Sequence, residues 1–529
     1  MNVRRLSLAV LGVFGAGIVD ASAMALNLYV DTKTSQVFTS PGAGRVKLGS
    51  FQQIDETKSS AAAEGQKLAT ASEVKQVEEK LNQRIDSVAN KPKKPNEAKT
   101  QIDDKGIRFE TNDGNFKFSM NGRLHTDADM FSGGDIVTYS DRNDDGRYNP
   151  ATDGPVQNNR LTDGTEIRRF RMEFAGQFYK DWHFKMQPEI ANGGGNGTVG
   201  IRDAFVQYKG FDWGSFVVGQ SKQPYSFQQM MSSNDMVFME RSTEYEFTNR
   251  SVNRAIGLRY DLGGDWWGFS TGVYGDTATR QTSGTTTVDD EGWGGALRAT
   301  LAPWYNKSDE LLHIGASGAF RAPPSGQRTV RYAIAPTAIS QFAYLDTGNM
   351  PDVQNSEFVD GEMVGIYGPL SFETEYNATW LNANDVESTH QLPAGNGFFQ
   401  GAHVDVAYSL TGESRGSGYR ADQGVLGRIK PEHNLDFHDG WGAFELKGRF
   451  MWVDMNQIAD SATYGGGSQV ASTFGGNWYF NNWARFMLDW THVYSLNVGR
   501  AGVNRTVLDI PGNTTGDWDY VQARIDLHY

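Results

Sequence analysis

Past Gly106 the chain alternates apolar and polar residues with a period of two, the mark of strands whose two faces meet different surroundings. In the first such stretch Phe116, Phe118, Met120, Leu124, Ala128 and Met130 oppose Lys117, Ser119, Asn121, Arg123, His125, Asp127 and Asp129. Phe170, Met172 and Phe174 oppose Arg169, Arg171 and Glu173; much later, Phe444, Leu446 and Phe450 oppose Glu445, Lys447 and Arg449. Sixteen segments of this kind begin near positions 116, 164, 182, 200, 215, 254, 267, 290, 311, 358, 370, 398, 441, 468, 484 and 518. Their connections alternate between short ones, such as Tyr179-Lys180-Asp181, Gly368-Pro369 and Asn481-Asn482, and long ones, at 132–163, 223–253, 322–357 and 496–517.

A soluble sandwich also alternates, but its strands average about five or six residues. Runs of ten or more with ionised groups deep inside the alternation predict an all-β fold: a closed, sixteen-stranded antiparallel transmembrane β-barrel over residues 106–529, with lipid outside and water inside. An even strand number with short periplasmic turns places both barrel ends in the periplasm and the long loops outside a bacterial outer membrane. Val521, Ala523, Ile525, Leu527 and Tyr529 alternate to an aromatic last residue, which marks the final strand as a candidate for the outer-membrane assembly machinery.

Residues 1–25 read as a signal peptide: Arg4 and Arg5 precede an apolar run from Leu6 to Val19 and small residues at Ala21-Ser22-Ala23. That run falls short of the ~20 residues a spanning helix needs. Residues 26–100 read as a periplasmic N-terminal segment. A short hairpin is expected over 26–47. A helix follows over about 70–90, opened by the capping pair Thr70 and Glu73. Val74, Val77, Leu81, Ile85 and Val88 form one narrow stripe on it, as in a short coiled coil that needs partners. Lys91-Pro92-Lys93-Lys94-Pro95 reads as a stiff linker.

Composition removes several classes of function. The 529 residues include no cysteine, so disulfides, thiolate chemistry and Cys-ligated metals are out, and a net charge of −14 argues against nucleic acid. No H-E-x-x-H pair, P-loop or C-x-x-C-H motif appears, so neither an enzyme nor a bound cofactor is expected. By strand parity, eleven cations point inward (Arg123, Arg169, Arg171, Lys185, Arg259, Arg298, Arg321, Lys447, Arg449, Arg485, Arg524) against ten carboxylates. The lumen is therefore mixed, and ion preference depends on which charges stand at the narrowest point. In the first long loop Asp141, Asn143, Asp145 and Gly146, with Asp153 further on, approximate a calcium loop, although Asp153 sits one place too far along.

The stretches "GIRFETNDGNFKFSMNGRLHTDADMF", "RRFRMEFAGQFYKDWHFKMQPE", "SSNDMVFMERS", "LTGESRGSGYRADQGVLGRIKP" and "NWYFNNWARFMLDWTHV" resemble the phosphate-selective porins O and P. That resemblance implies a homotrimer of sixteen-stranded barrels, an infolded third loop at the constriction and basic residues along a path for small inorganic anions. It makes 223–253 the constriction loop, with Glu240 and Arg241 in it and Lys222 just before it. It also makes the long turn 411–440 a segment folded into the lumen, bringing Arg415, Arg420 and Arg428. With Arg169, Arg171, Arg259, Arg298, Arg449 and Arg485 on the wall, these are the candidate pore residues. Ser232-Ser233 is followed by Asn234-Asp235 where phosphate-specific members are expected to place lysine. Two functions follow. One is passive diffusion of small hydrophilic solutes, anions such as phosphate among them, through a trimeric outer-membrane channel. The other is a structural barrel that anchors the periplasmic coiled coil or other envelope components.

Overall fold

The structure is a computed structural model. It describes residues 26–31, 37–51 and 79–80, and the chain from 97 to 529 except 104–105, 134–135, 141, 143–147, 160, 192–198, 250–251, 279–290, 326–327, 341, 384–396, 458–464, 500–504 and 508–516. The chain divides into two compact units, Met1–Pro92 and Lys93–Tyr529. In the first, Leu26–Asp31 is the centre of a three-stranded sheet, flanked by Val37–Phe38 and Arg45–Phe51. The hairpin expected over 26–47 is thus a three-stranded sheet reaching Phe51. The expected signal peptide and most of the expected coiled-coil helix lie outside the described residues; Glu79 and Lys80 are helical.

The second unit is a closed antiparallel barrel of sixteen strands. They are Phe116–Ser132, Gly164–Phe178, Trp182–Glu189, Gly200–Phe211, Gly214–Lys222, Arg254–Gly263, Trp267–Tyr274 and Trp293–Tyr305. Then come Glu310–Ala322, Val353–Tyr367, Leu370–Ala383, Gly397–Ser409, Ala443–Gln457, Gly467–Tyr479, Ala484–Val498 and Trp518–His528. The last strand closes on the first, from Asp519 opposite Ser132 to His528 opposite Arg123. Where it ends, Tyr529 and Gly122 exchange backbone hydrogen bonds of 3.2 and 3.0 Å. The edge is then continued by a hairpin, Ala98–Asp103 with Gly106–Thr111, whose second strand pairs with Lys117–Met120. Gly106 makes this junction possible: its φ is +87°, and a Cβ there would sit 2.4 Å from the Met120 carbonyl oxygen.

The alternation is realised with lipid in the place of a protein core. On Trp293–Tyr305 the outward Leu297 and Leu301 are 50% and 44% exposed, while the inward Arg298 and Thr300 are buried. A charge on the outer face would cost about 2–4 kcal/mol at the membrane midplane, which is why ionised residues are confined to the other parity. The bore is not empty. The loop 223–253, with helices Phe227–Met230 and Thr243–Asn249, the turn 411–440 and the long loop 323–352 all fold into it. In the last, Tyr332, Ile334, Tyr344, Leu345 and Met350 pack on Leu381, Phe399, Met451, Val453 and Val493, giving one side of the long-loop end an apolar lining.

Candidate functional site: a loop-built constriction in the bore

Between Gln223 and Asn253 the two-residue period stops, and the chain leaves the wall. The turn inward is made at Pro224 to Ser226. Ser226 has φ +57°, and its side chain caps the first helix by accepting from the Gln229 amide at 3.2 Å. The loop is then seated on the wall and on the infolded turn 411–440 through its own carbonyls. Those of Asp235, Met236, Val237, Met239 and Glu240 accept in turn from Arg415, Arg485, Lys447, Arg524 and Arg449. Each cation also has its own carboxylate: Glu445 for Arg415 and Asp526 for Arg485 at 2.7 Å, Asp127 for Arg524 and Asp405 for Arg449 at 2.6 Å, and Asp489 for Lys447. A guanidinium can serve both partners because its planar fork presents several donors in fixed directions.

On the opposite flank, Glu375 accepts from the Phe227 amide at 2.6 Å, and His403 Nδ1 meets Glu244 Oε1 at 2.5 Å. Gly401 leaves the room for Glu244, since a Cβ there would lie 2.4 Å from the Glu244 Cβ.

Two cavities open on either side of the seated loop. One of about 630 Å³ lies toward the short-turn end, beside His528, Tyr529, Arg420 and Gln423. One of about 190 Å³ lies toward the long-loop end, beside Ala333 to Ala338 and Tyr344. Arg168, Glu240, Arg241 and Glu246 line both, so these four side chains form the partition between the two spaces. Glu240 accepts from Arg168 at 3.1 Å, from Arg169 at 3.0 and 2.8 Å, and from Arg524 at 2.6 Å. Burial alone would push its carboxyl up, but these three cations hold it well below the usual carboxylate range.

The larger cavity is strongly basic. Its lining carries eleven cations, Arg123, Arg168, Arg169, Arg171, Lys185, Arg202, Lys222, Arg241, Arg254, Arg259 and Arg420. Against them stand five side-chain carboxylates, Glu173, Asp203, Asp235, Glu240 and Glu246, an excess of six positive charges. Four of the cations make no salt bridge among the described residues. Lys222 donates to the carbonyls of Met230 and Met231 at 3.1 and 2.9 Å, and Arg241 to those of Gln228 and Met231 at 2.6 and 3.0 Å. Arg123 donates to Ser233 Oγ at 2.8 Å, and the Arg420 side chain is exposed to the cavity. Neutral oxygens orient such groups without cancelling their charge.

Of the candidate pore residues, Lys222, Glu240, Arg241, Arg169, Arg171, Arg259 and Arg420 line the larger cavity, and Arg449 lines the smaller. Arg298, Arg415, Arg428 and Arg485 line neither. Arg298 and Arg485 point inward from the wall but are covered by infolded segments, and Arg415 and Arg428 belong to the infolded turn 411–440 itself. Arg298 is bound by Glu362 and by the carbonyls of Gln423 and Gly424, and Arg428 lies against His528 and Asp526. Their place is in holding loops.

Two cavity cations, Arg168 and Arg202, escape strand parity because each is the extra residue of a β-bulge. His125 pairs with Arg169 and Thr126 with Ile167; Gln187 pairs with Asp203 and Pro188 with Ile201. The adjacent Arg168-Arg169 pair, which breaks the two-residue period, was the available signal. Of the candidate calcium ligands, Asp141, Asn143 and Asp145 lie outside the described residues. Asp153 accepts from the backbone amides of Asn149 and Arg142 at 2.7 and 3.3 Å, closing its own loop.

A family model described as phosphate-selective porin O and P matches residues 141–508. Porin O of Pseudomonas aeruginosa is 25% identical over 404 residues, which cover 71% of this chain and 83% of that protein. Among solved structures, OmpT, an outer membrane protein of Vibrio cholerae, aligns with a TM-score of 0.44 at 9% identity, over 78% of this chain and 98% of that one. An anion-selective porin from Comamonas acidovorans aligns with a TM-score of 0.43 at 12% identity, over 78% and 99%. With more than half its length matched, the chain belongs to the phosphate-selective porin O and P family and is a non-enzymatic channel of the bacterial outer membrane.

Proposed function

We propose that this porin is a general diffusion channel for small anions, inorganic phosphate among them, working as a homotrimer. The observation that carries this reading is the excess of six positive charges around the larger cavity, four of the cations lacking a carboxylate partner among the described residues. An anion entering from the external loops passes between Arg168 and Arg241 and then meets a basic chamber on its way to the periplasm. Field strength near such a low-dielectric constriction is set by charges within a Debye length of about 8 Å, so the mixed charge elsewhere in the bore is screened. Planar guanidinium forks suit an oxyanion's paired oxygens. No cofactor enters this account, because a wet bore and fixed charges suffice.

The trimer has its own support. Trp182–Glu189 and Trp267–Tyr274 have eight residues each, and at ~3.4 Å per residue with a tilt near 40° such strands rise only about 20 Å, less than the ~25 Å apolar band of an outer-membrane barrel. Contact with neighbouring subunits in place of lipid suits so low a wall. Outside it, Trp182, Val206, Tyr208, Phe211, Phe216 and Val218 line an apolar hollow of about 410 Å³. A single cysteine at Val218 is expected to be shielded from a membrane-soluble maleimide, while one at Leu446 on a taller strand reacts.

Conductance tests the main reading. Replacing chloride by the slower acetate is expected to lower single-channel conductance in proportion to anion mobility, and replacing potassium by lithium to leave it nearly unchanged. The reverse pattern would overturn anion preference.

A further inference from the structure

The inward faces of Val353–Tyr367 and Leu370–Ala383 carry more carboxylates than the cations around them neutralise. Glu362 and Glu375 stand directly opposite each other across the ladder, an arrangement that repels when both are ionised. Glu362 is matched: Arg298 donates Nε at 3.0 Å and Nη2 at 2.5 Å, and His313 Nε2 lies 2.8 Å away. His403 is engaged by Glu244 and Glu373. Asp360 and Glu375 are left with no cation at salt-bridge distance among the described residues, and both are buried, at 4% and 2% exposure. Carboxylate oxygens of Asp360, Glu362 and Glu375 nevertheless lie within 4.8 Å of one another.

Asp360 Oδ1 accepts from Ser317 Oγ at 3.2 Å, but its Oδ2 is shut off from solvent and has no hydrogen-bond partner among the described residues. A bare anionic oxygen there, beside a second carboxylate, is strongly disfavoured, because neither solvation nor a counter-charge offsets its burial. A metal cation is a poor remedy, because Arg298 and His313 already occupy the oxygens of Glu362. A proton turns the orphaned oxygen into a donor. We propose that Asp360 is a neutral carboxylic acid donating its Oδ2–H to Glu375, and that this shared proton holds the first arm of the constriction loop on the wall.

The arm is fastened at the same place. The Ser226 amide donates to Ser317 Oγ at 2.9 Å, Tyr225 Oη lies 3.0 Å from Asn377 Oδ1, and Glu375 takes the Phe227 and Gln228 amides. Of the titratable groups facing the pair, Arg298 and His313 are taken up by Glu362, and His403 by Glu244 and Glu373, while Tyr225 is a neutral phenol. None offers a spare positive charge. Losing the proton therefore leaves two carboxylates repelling each other beneath the arm, and the constriction loop becomes unsteady in alkali.

Infrared spectroscopy of the full-length purified porin tests this directly. The wild type at neutral pH is expected to show the carbonyl stretch of a protonated carboxylic acid, and Asp360→Asn, whose amide supplies a donor in the same place, to lack it. In planar bilayers the wild type is expected to flicker closed as the solution is made alkaline, and Asp360→Asn to stay open at the wild-type neutral conductance. Should the variant fail to assemble, the wild-type band decides: its loss on raising the pH must coincide with the onset of flicker. Absence of the band at neutral pH, its persistence in Asp360→Asn, or a saturable terbium signal abolished by that substitution would overturn the proposal.

Discussion

Arg524, on the strand that closes the barrel, contacts Glu240 at the tip of the inward loop through Nη2 and Oε1, 2.6 Å apart and 284 residues distant in sequence. The same guanidinium is held by Asp127 of the first strand. Barrel closure and the shape of the constriction are thus one event: the eyelet takes its geometry only when the first and last strands have met.

Glu240→Gln follows from that contact. It leaves Arg168, Arg169 and Arg524 facing a neutral amide, and breaking a buried pair on one side costs about 3–5 kcal/mol, nearer the low end here because Glu240 is partly exposed to the bore. The folded form is expected to convert at lower temperature in a heat-shift gel. Anion preference is expected to rise, since the partition loses a negative charge. An unchanged heat shift together with a move toward cations would contradict the arrangement.

Lys222→Ala and Arg241→Ala remove cations that carbonyls orient and that make no salt bridge among the described residues. Each is expected to lower the anion-to-cation permeability ratio severalfold in dilute salt. Near 1 M salt, where the Debye length is about 3 Å, the difference should fade. Equal effects at both salt concentrations would point to altered pore shape in place of charge.

Acid should spare the constriction. Burial raises the Glu240 carboxyl, but Arg168, Arg169 and Arg524 bring it well below the usual carboxylate range. The folded value therefore lies beneath the unfolded value of about 4.3. A depressed carboxylate contributes its full stability above the unfolded value and loses it only as pH falls through the folded one. Selectivity is expected to stay level from about pH 7 to about pH 4.5 in bilayer recordings. A transition near pH 6 that Glu240→Gln abolishes would count against this.

Gly401→Ala places a methyl group against Glu244, which cannot then reach His403. Overpacking of this kind costs about 1–3 kcal/mol, and the loop is expected to ride off the wall, giving noisier channels of altered conductance. Gly361→Ala, with nothing within 4 Å of its new Cβ, is the matched control and should record like the wild type.

The barrel was legible because one physical rule, apolar toward lipid and polar toward water, acts on nearly every residue of every strand. Segment starts read near 116, 164, 182, 200 and 484 coincide with strands beginning at Phe116, Gly164, Trp182, Gly200 and Ala484. Parity also sent Arg298 and Arg485 inward, but burial under an infolded loop is a three-dimensional fact that no alternation encodes. Arg168 and Arg202 were invisible for a different reason, since a bulge shifts parity by one and leaves only a local irregularity in the sequence. Glu375 is one of the ten inward carboxylates that parity counts, but Asp360 is not among them, and only the placement of Arg298 and His313 on Glu362 shows that the pair has no counter-ion among the described residues.

The zero-current potential across a planar bilayer bearing a tenfold KCl gradient reads the sign of the charge that ions meet in the bore. A potential lying toward the chloride equilibrium value, and moving toward zero in Lys222→Ala and Arg241→Ala, is the result expected of a basic chamber behind the Arg168–Glu240–Arg241 partition. A potential toward the potassium value would show that the excess cations around that chamber do not govern permeation.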